Sequence, residues 1–130
     1  MKKKQQPDCP YYHDIDLTPL HLFVECPSAK SFWNKFTEWY NTTRGGNIAL
    51  EQNKITYGVL RYTLSSLTLN HLIIIGNYFL YISTVHDEKR PQFTDFVTLV
   101  NEKIELEKYI AITTNKLFSF NKNWSNFLTN

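Results

Sequence analysis

Residues 21–41 read HLFVECPSAKSFWNKFTEWYN, and two patterns overlap in them. From about Ser28 to Thr42, Phe32, Trp33, Phe36, Trp39 and Tyr40 recur at three- and four-residue steps, while Lys30, Asn34, Lys35 and Glu38 fall largely outside that stripe. This is the period of a helix with one wide apolar face. Such a stripe is a core element far more often than a base-stacking platform, because burying each ring contributes about 1.5–3 kcal/mol. Ahead of the helix, His21 stands five positions before Cys26, with Pro27 as a break and Ser28 as the expected N-cap. The stretch therefore predicts one wall of an all-α domain, entered through a turn that carries two metal-ligating residue types.

Upstream, Cys9 and His13 complete the spacing Cys9-x3-His13-x7-His21-x4-Cys26. Thiolate and neutral imidazole are zinc donors, and a structural site takes four of them in a tetrahedron. Cys9, His13, His21 and Cys26 are the candidate metal ligands. The competing reading is that the cysteines are small buried hydrophobes and the histidines surface or satisfied core residues. Pro7 and Pro10 hold Cys9 in a turn or extended setting. Thr18 can cap a short helix whose first position is Pro19.

Downstream, Thr43-Arg44-Gly45-Gly46-Asn47 ends the aromatic helix and starts a connector. Residues 48–66 hold only short apolar runs, Ile55 to Tyr57 and Val59 to Tyr62. A second long helix is expected over Leu69 to Val85, apolar nearly all round and therefore central, with Gly76 admitting another helix closely. His86 to Arg90 reads as a solvated charged exit before Pro91. A third long helix follows, with Phe93, Phe96, Val97, Val100, Ile104 and Ala111 on one face and Leu99, Leu106 and Ile110 on a second, so that it packs on two sides. Thr113-Thr114-Asn115 weakens it, and Leu117, Phe120, Trp124 and Phe127 or Leu128 form a last amphipathic piece. The expected architecture is a small helical bundle of four or five helices with an N-terminal zinc-knuckle-like segment. Residues 1–8 are read as a disordered basic tail, 9–45 as the knuckle-like segment plus aromatic helix, and 46–130 as the helical tail of the same domain.

Composition narrows the functional classes. The chain is 42% hydrophobic and 15% aromatic, with a formal charge of +2; without Lys2, Lys3 and Lys4 that charge becomes −1. A body without a basic stripe is a poor self-sufficient binder of nucleic acid. Gln5-Gln6-Pro7-Asp8 follows the lysines where a secretory signal needs an apolar run, and the most apolar stretch, Leu69 to Ile82, is too short and polar to span a bilayer. With two cysteines in no disulfide framework, reduced thiols and an intracellular location, cytoplasm or nucleus, are expected. Catalysis is not: the chain has no Asp-Asp pair, no Gly-x-Ser-x-Gly elbow, and no Lys-Ser/Thr after its paired glycines.

The segment from His21 to Asn41 resembles the zinc-binding region at the C-terminal end of LINE-type (non-LTR) retrotransposon reverse transcriptases. That region carries two cysteines two residues apart, a histidine in an H-L-F context, a cysteine followed by proline, and a Phe-Trp pair opening a helix. Cys9, His21, Cys26 and Phe32-Trp33 match, and the second cysteine's place falls on Tyr12. A phenol, with a solution pKa of about 10, is a poor zinc ligand, so the site either recruits His13 or has decayed. The likeness continues through Ile55 to Val59, Asn70 to Tyr81 and Phe93 to Trp124, and covers about residues 9–128. It implies a non-catalytic module that follows a polymerase, binds zinc, and contacts RNA or DNA beside an upstream reverse transcriptase domain. The alternative is a decayed retroelement remnant, folded but without independent activity.

Overall fold

The computed structural model describes residues 7–57, 64–87 and 89–124. The expected basic tail falls mostly outside them, as do Gly58, the Val59–Tyr62 run, Glu88, Phe127 and Leu128. The described residues build an all-α fold: α1 (Pro27–Arg44), α2 (Gln52–Tyr57), α3 (Leu64–Tyr81), α4 (Phe93–Thr113) and α5 (Leu117–Trp124). A five-residue π-helical turn, His21–Glu25, leads into α1, and a second, Ile82–His86, continues α3.

The helix expected from the aromatic stripe is α1. It starts at Pro27, whose ring costs the first turn no hydrogen bond. It stops at Gly45, which adopts φ +67°, a left-handed conformation that glycine takes without strain. Beyond it, Asn41 clasps the connector through both ends of its side-chain amide, Oδ1 accepting from Ile48 N–H at 2.8 Å and Nδ2 donating to Ile48 O at 3.1 Å. α3 begins at Leu64, earlier than the apolar run suggests. α4 begins after the Pro91–Gln92 segment, with Asp95 in its first turn facing the positive end of the helix. It ends where Asn115 turns to φ 60°.

The core lies where α1, α3 and α4 meet. Phe96 of α4 is fully buried, with ring centroids 5.1 Å from Phe32, 5.7 Å from Phe36 and 5.9 Å from Phe79. Phe32 in turn lies 4.9 Å from Trp33 and 5.9 Å from Phe93. Phe32, Trp33, Phe36 and Tyr40 of the α1 stripe are therefore core, with Trp39 partly buried against them. Gly76 has the packing reason its position suggests. A Cβ there would come within 2.8 Å of Trp33 Cη2 and 3.2 Å of Phe32 Cε1, so α3 crosses α1 at a distance only glycine permits.

Two expectations are corrected. On α4, Phe96, Val100, Ile104 and Ala111 are buried and Leu99 of the second stripe packs partly against the core, but Leu106 and Ile110 of that stripe are exposed. On α3, Ile74, Tyr78 and Tyr81 face outward, giving a helix buried on one broad face rather than all round. Phe120 and Trp124 bring α5 back onto the core, and His71 of α3 sits edge-on to Trp124 at 5.5 Å while its Nε2 lies 3.3 Å from Glu107 Oε1 of α4.

Alanine improves the intrinsic helix propensity of position 76 by about 1 kcal/mol, whereas forcing a methyl into this contact costs about 1–3 kcal/mol. Gly76→Ala is therefore expected to lower the urea midpoint despite the better propensity. Phe96→Ala, which empties the centre of the ring cluster, is expected to cost about 3–5 kcal/mol by the same measurement.

Candidate metal centre

Residues 7–17 fold back on themselves through short-range backbone bonds. Asp8 and Asp16 form an isolated antiparallel bridge, Cys9 N–H donates to Ile15 O at 2.8 Å, and Leu17 N–H donates to Pro7 O at 2.8 Å. This loop carries Cys9 inward, where its side chain is fully buried. Thr18 then performs the capping role its position suggests: its Oγ1 accepts from His21 N–H at 3.0 Å, and its carbonyl accepts from Leu22 N–H at 2.9 Å.

After that single α-type turn the backbone widens. Cys26 N–H donates to His21 O at 2.8 Å, a bond spanning five residues rather than four. In an α-helix, with 3.6 residues per turn, positions five apart point in different directions. The π-turn closes directly between the two ligand-bearing residues and lets both side chains reach one point. Cys26, and not Ser28, stands at the N-cap of α1, and its carbonyl accepts from Lys30 N–H at 2.9 Å. Ser28 lies inside the first turn. Trp33 Nε1 donates to Phe23 O at 2.8 Å and bolts the π-turn onto α1.

The outcome is a compact group of donors. One ligand atom each from Cys9, His21 and Cys26 lies within 4.8 Å of the other two, and all three residues are buried. His21 Nε2 is buried without a hydrogen-bond partner. Burial pushes the Cys26 thiol up from its ordinary range, the first-turn amides of Ser28 and Ala29 pull it down, and the neighbouring Cys9 raises it. Without an ion the Cys26 sulfur is therefore held as a neutral thiol. A buried imidazole nitrogen with no partner is a cost that proteins seldom carry without reason. Sulfur and nitrogen donors at this separation fit a borderline-soft divalent ion such as zinc, whose tetrahedral ligand atoms stand about 3.3–3.8 Å apart.

His13, the fourth ligand expected from spacing, is not part of the group. It lies exposed on the turn of the loop. Tyr12, at the position of the missing cysteine, is half-buried, and its hydroxyl accepts from Arg90 Nη1 at 3.5 Å. Arg90 also donates to Ser28 Oγ at 3.1 Å, and its guanidinium carbon lies 5.3 Å from the ring centroids of both Tyr11 and Tyr12. The Tyr11 hydroxyl donates to Lys89 O at 2.5 Å and stands 3.3 Å from Thr84 Oγ1. Burial raises the Tyr11 phenol above its ordinary value, which keeps it a neutral donor. The His86–Arg90 exit, expected to be a solvated turn, thus supplies the clasp that holds the knuckle loop to the end of α3. Nothing local in the sequence signals this, since Arg90 and Tyr12 are 78 residues apart.

No protein-family model, curated protein or solved structure matches the chain.

Thr18→Ala is expected to cost about 1 kcal/mol through loss of the cap, with Thr18→Ser retaining most of it. Urea denaturation of the three proteins measures the difference.

Proposed function

We propose that the chain is a zinc-bound, non-catalytic helical module of the kind found at the C-terminal end of non-LTR retrotransposon reverse transcriptases, contacting RNA or DNA beside an upstream polymerase domain. The observation that carries the zinc assignment is the buried Cys9–His21–Cys26 group, with His21 Nε2 otherwise unpartnered. The retroelement assignment rests on the resemblance through His21-Leu22-Phe23, Cys26-Pro27 and Phe32-Trp33.

Zinc would supply a structural crosslink, binding as the two thiols lose their protons and tying the 7–17 loop to the start of α1. The chemistry requires reduced thiols, which suits an intracellular setting. The body's near-neutral charge assigns most of the phosphate affinity to a neighbouring domain. One observation favours a second reading, a folded remnant without present activity: Tyr12 stands where the resemblance places a fourth ligand.

Metal content of tag-free protein tests the first reading. One ion per chain is expected, and cobalt-substituted protein should show a thiolate-to-cobalt band that Cys26→Ser weakens or abolishes and His13→Ala leaves unchanged. No metal above background would leave the remnant reading. Chelation should raise amide exchange in residues 7–26, while α3 and α4, held by the aromatic core, keep their protection. Weak retention of single-stranded RNA or DNA at low salt, lost at moderate salt, is expected in a mobility-shift assay. Its absence at low salt would remove nucleic-acid contact from the isolated chain.

A further inference from the structure

We propose that a cavity beside the π-turn binds a small neutral molecule with an apolar body and one hydrogen-bond donor, and that Asn77 Oδ1 accepts that hydrogen bond. The cavity measures about 380 Å³ and is lined, among the described residues, by Pro19, Leu20, Phe23, Val24, Ile55 and Asn77. That volume falls within the range of small-molecule sites, about 300–1,000 Å³. It is reached from solvent: Leu20 is 43% exposed, and Phe23, Val24 and Asn77 are only partly buried. Cys9, His21 and Cys26 are not among the lining residues, so occupancy here asks for no room at the donor group. The short helical segment that carries His21 into that group turns Leu20, Phe23 and Val24, three and four positions apart, toward the cavity. α2 contributes Ile55 and α3 contributes Asn77 as the facing walls.

The lining selects the ligand by its chemistry. All of these residues but Asn77 are apolar and none carries a charge, so an ionised group entering the cavity would lose its hydration without gaining a counter-ion. The polar contribution is the Asn77 amide, whose two ends differ. Its Nδ2 donates to Ile55 O at 3.1 Å, which fixes the orientation of the amide. Its Oδ1 is buried and has no hydrogen-bond partner. A carboxamide oxygen only accepts, so the group that complements it is an N–H or O–H. A buried acceptor left unmatched is costly, and a donor brought by a ligand removes that cost. Indole has this composition, an apolar bicycle with one N–H and no competing acceptor.

The test titrates the isotope-labelled full chain with indole and, separately, with N-methylindole, which keeps the bicycle and lacks the donor, and follows the amide resonances. The expected result is a saturable response to indole centred on Leu20, Phe23, Val24, Ile55 and the side-chain amide of Asn77. N-methylindole should bind about tenfold more weakly, because it leaves Oδ1 unmatched. Asn77→Leu, which keeps the wall apolar and removes the acceptor, should bind the two probes alike. A parent without a saturable response to indole overturns the proposal, as does equal affinity for the two probes or a response centred on other residues. So does an Asn77→Leu protein that folds and still prefers indole, because another acceptor would then be in use. The comparison of the two probes on the parent decides the matter even where Asn77→Leu fails to fold. None of these results bears on the zinc assignment, which metal content tests separately.

Discussion

The backbone bond from Cys26 N–H to His21 O organises the N-terminal third of the molecule. It converts what would be a second α-type turn into a π-turn and so brings two side chains five residues apart to one point. At the same residue the chain changes direction: the Cys26 carbonyl opens α1, and Pro27 follows in the one helical position where proline is free of penalty. One residue thus ends the knuckle, begins the aromatic helix and contributes a sulfur to the donor group. The position of this sulfur is set by the helix start, so Cys26 inherits the rigidity of α1, while Cys9 is placed by the 7–17 loop.

That rigidity comes from rings. Phe32, Trp33 and Phe36 are locked between α3 and α4, with Phe96 at the centre and Gly76 cut away to admit Trp33. Trp33 belongs to both halves of the molecule, since its ring packs on α3 while its Nε1 holds the Phe23 carbonyl of the π-turn. The second fastening is polar and lies on the surface. Tyr11, Tyr12 and Ser28 meet Lys89 and Arg90. Exposed contacts of this kind are individually worth little, whereas Trp33 shares the buried core with Cys9, Leu22 and Cys26 of the N-terminal segment.

Much of this was legible in the residues because it depends on local period and punctuation. The α1 stripe, the Gly45 stop, the Thr18 cap, the close approach at Gly76 and the Asn115 break all follow from rules that act within one or two turns. Cys9, His21 and Cys26 could be named as partners because their residue types are uncommon and their spacing is short. What could not be read is what long-range packing decides. The helical period of Leu106 and Ile110 is real, yet no described element covers them, and period alone does not say whether a partner exists. His13 satisfied the arithmetic of ligand spacing but sits on the outside of a tight turn, a fact of loop geometry that counting residues does not reveal. Arg90 looked like one charge in a solvated run. Its contacts with Tyr12 and Ser28 exist only because α3 returns the chain to the knuckle.

The division between an aromatic core and a donor group also limits what each can do. In zinc-finger peptides the metal supplies nearly all the folding free energy, about 10–16 kcal/mol, because there is little else. Here the rings of α1, α3 and α4 form a core of their own, so an ion held by Cys9, His21 and Cys26 would act chiefly on the loop that contributes Cys9. The same division bears on nucleic acid. Phe32, Trp33, Phe36 and Tyr40 of the α1 stripe are buried in the core, so these rings are closed to base stacking. A chain body of near-neutral net charge offers phosphate groups little to hold.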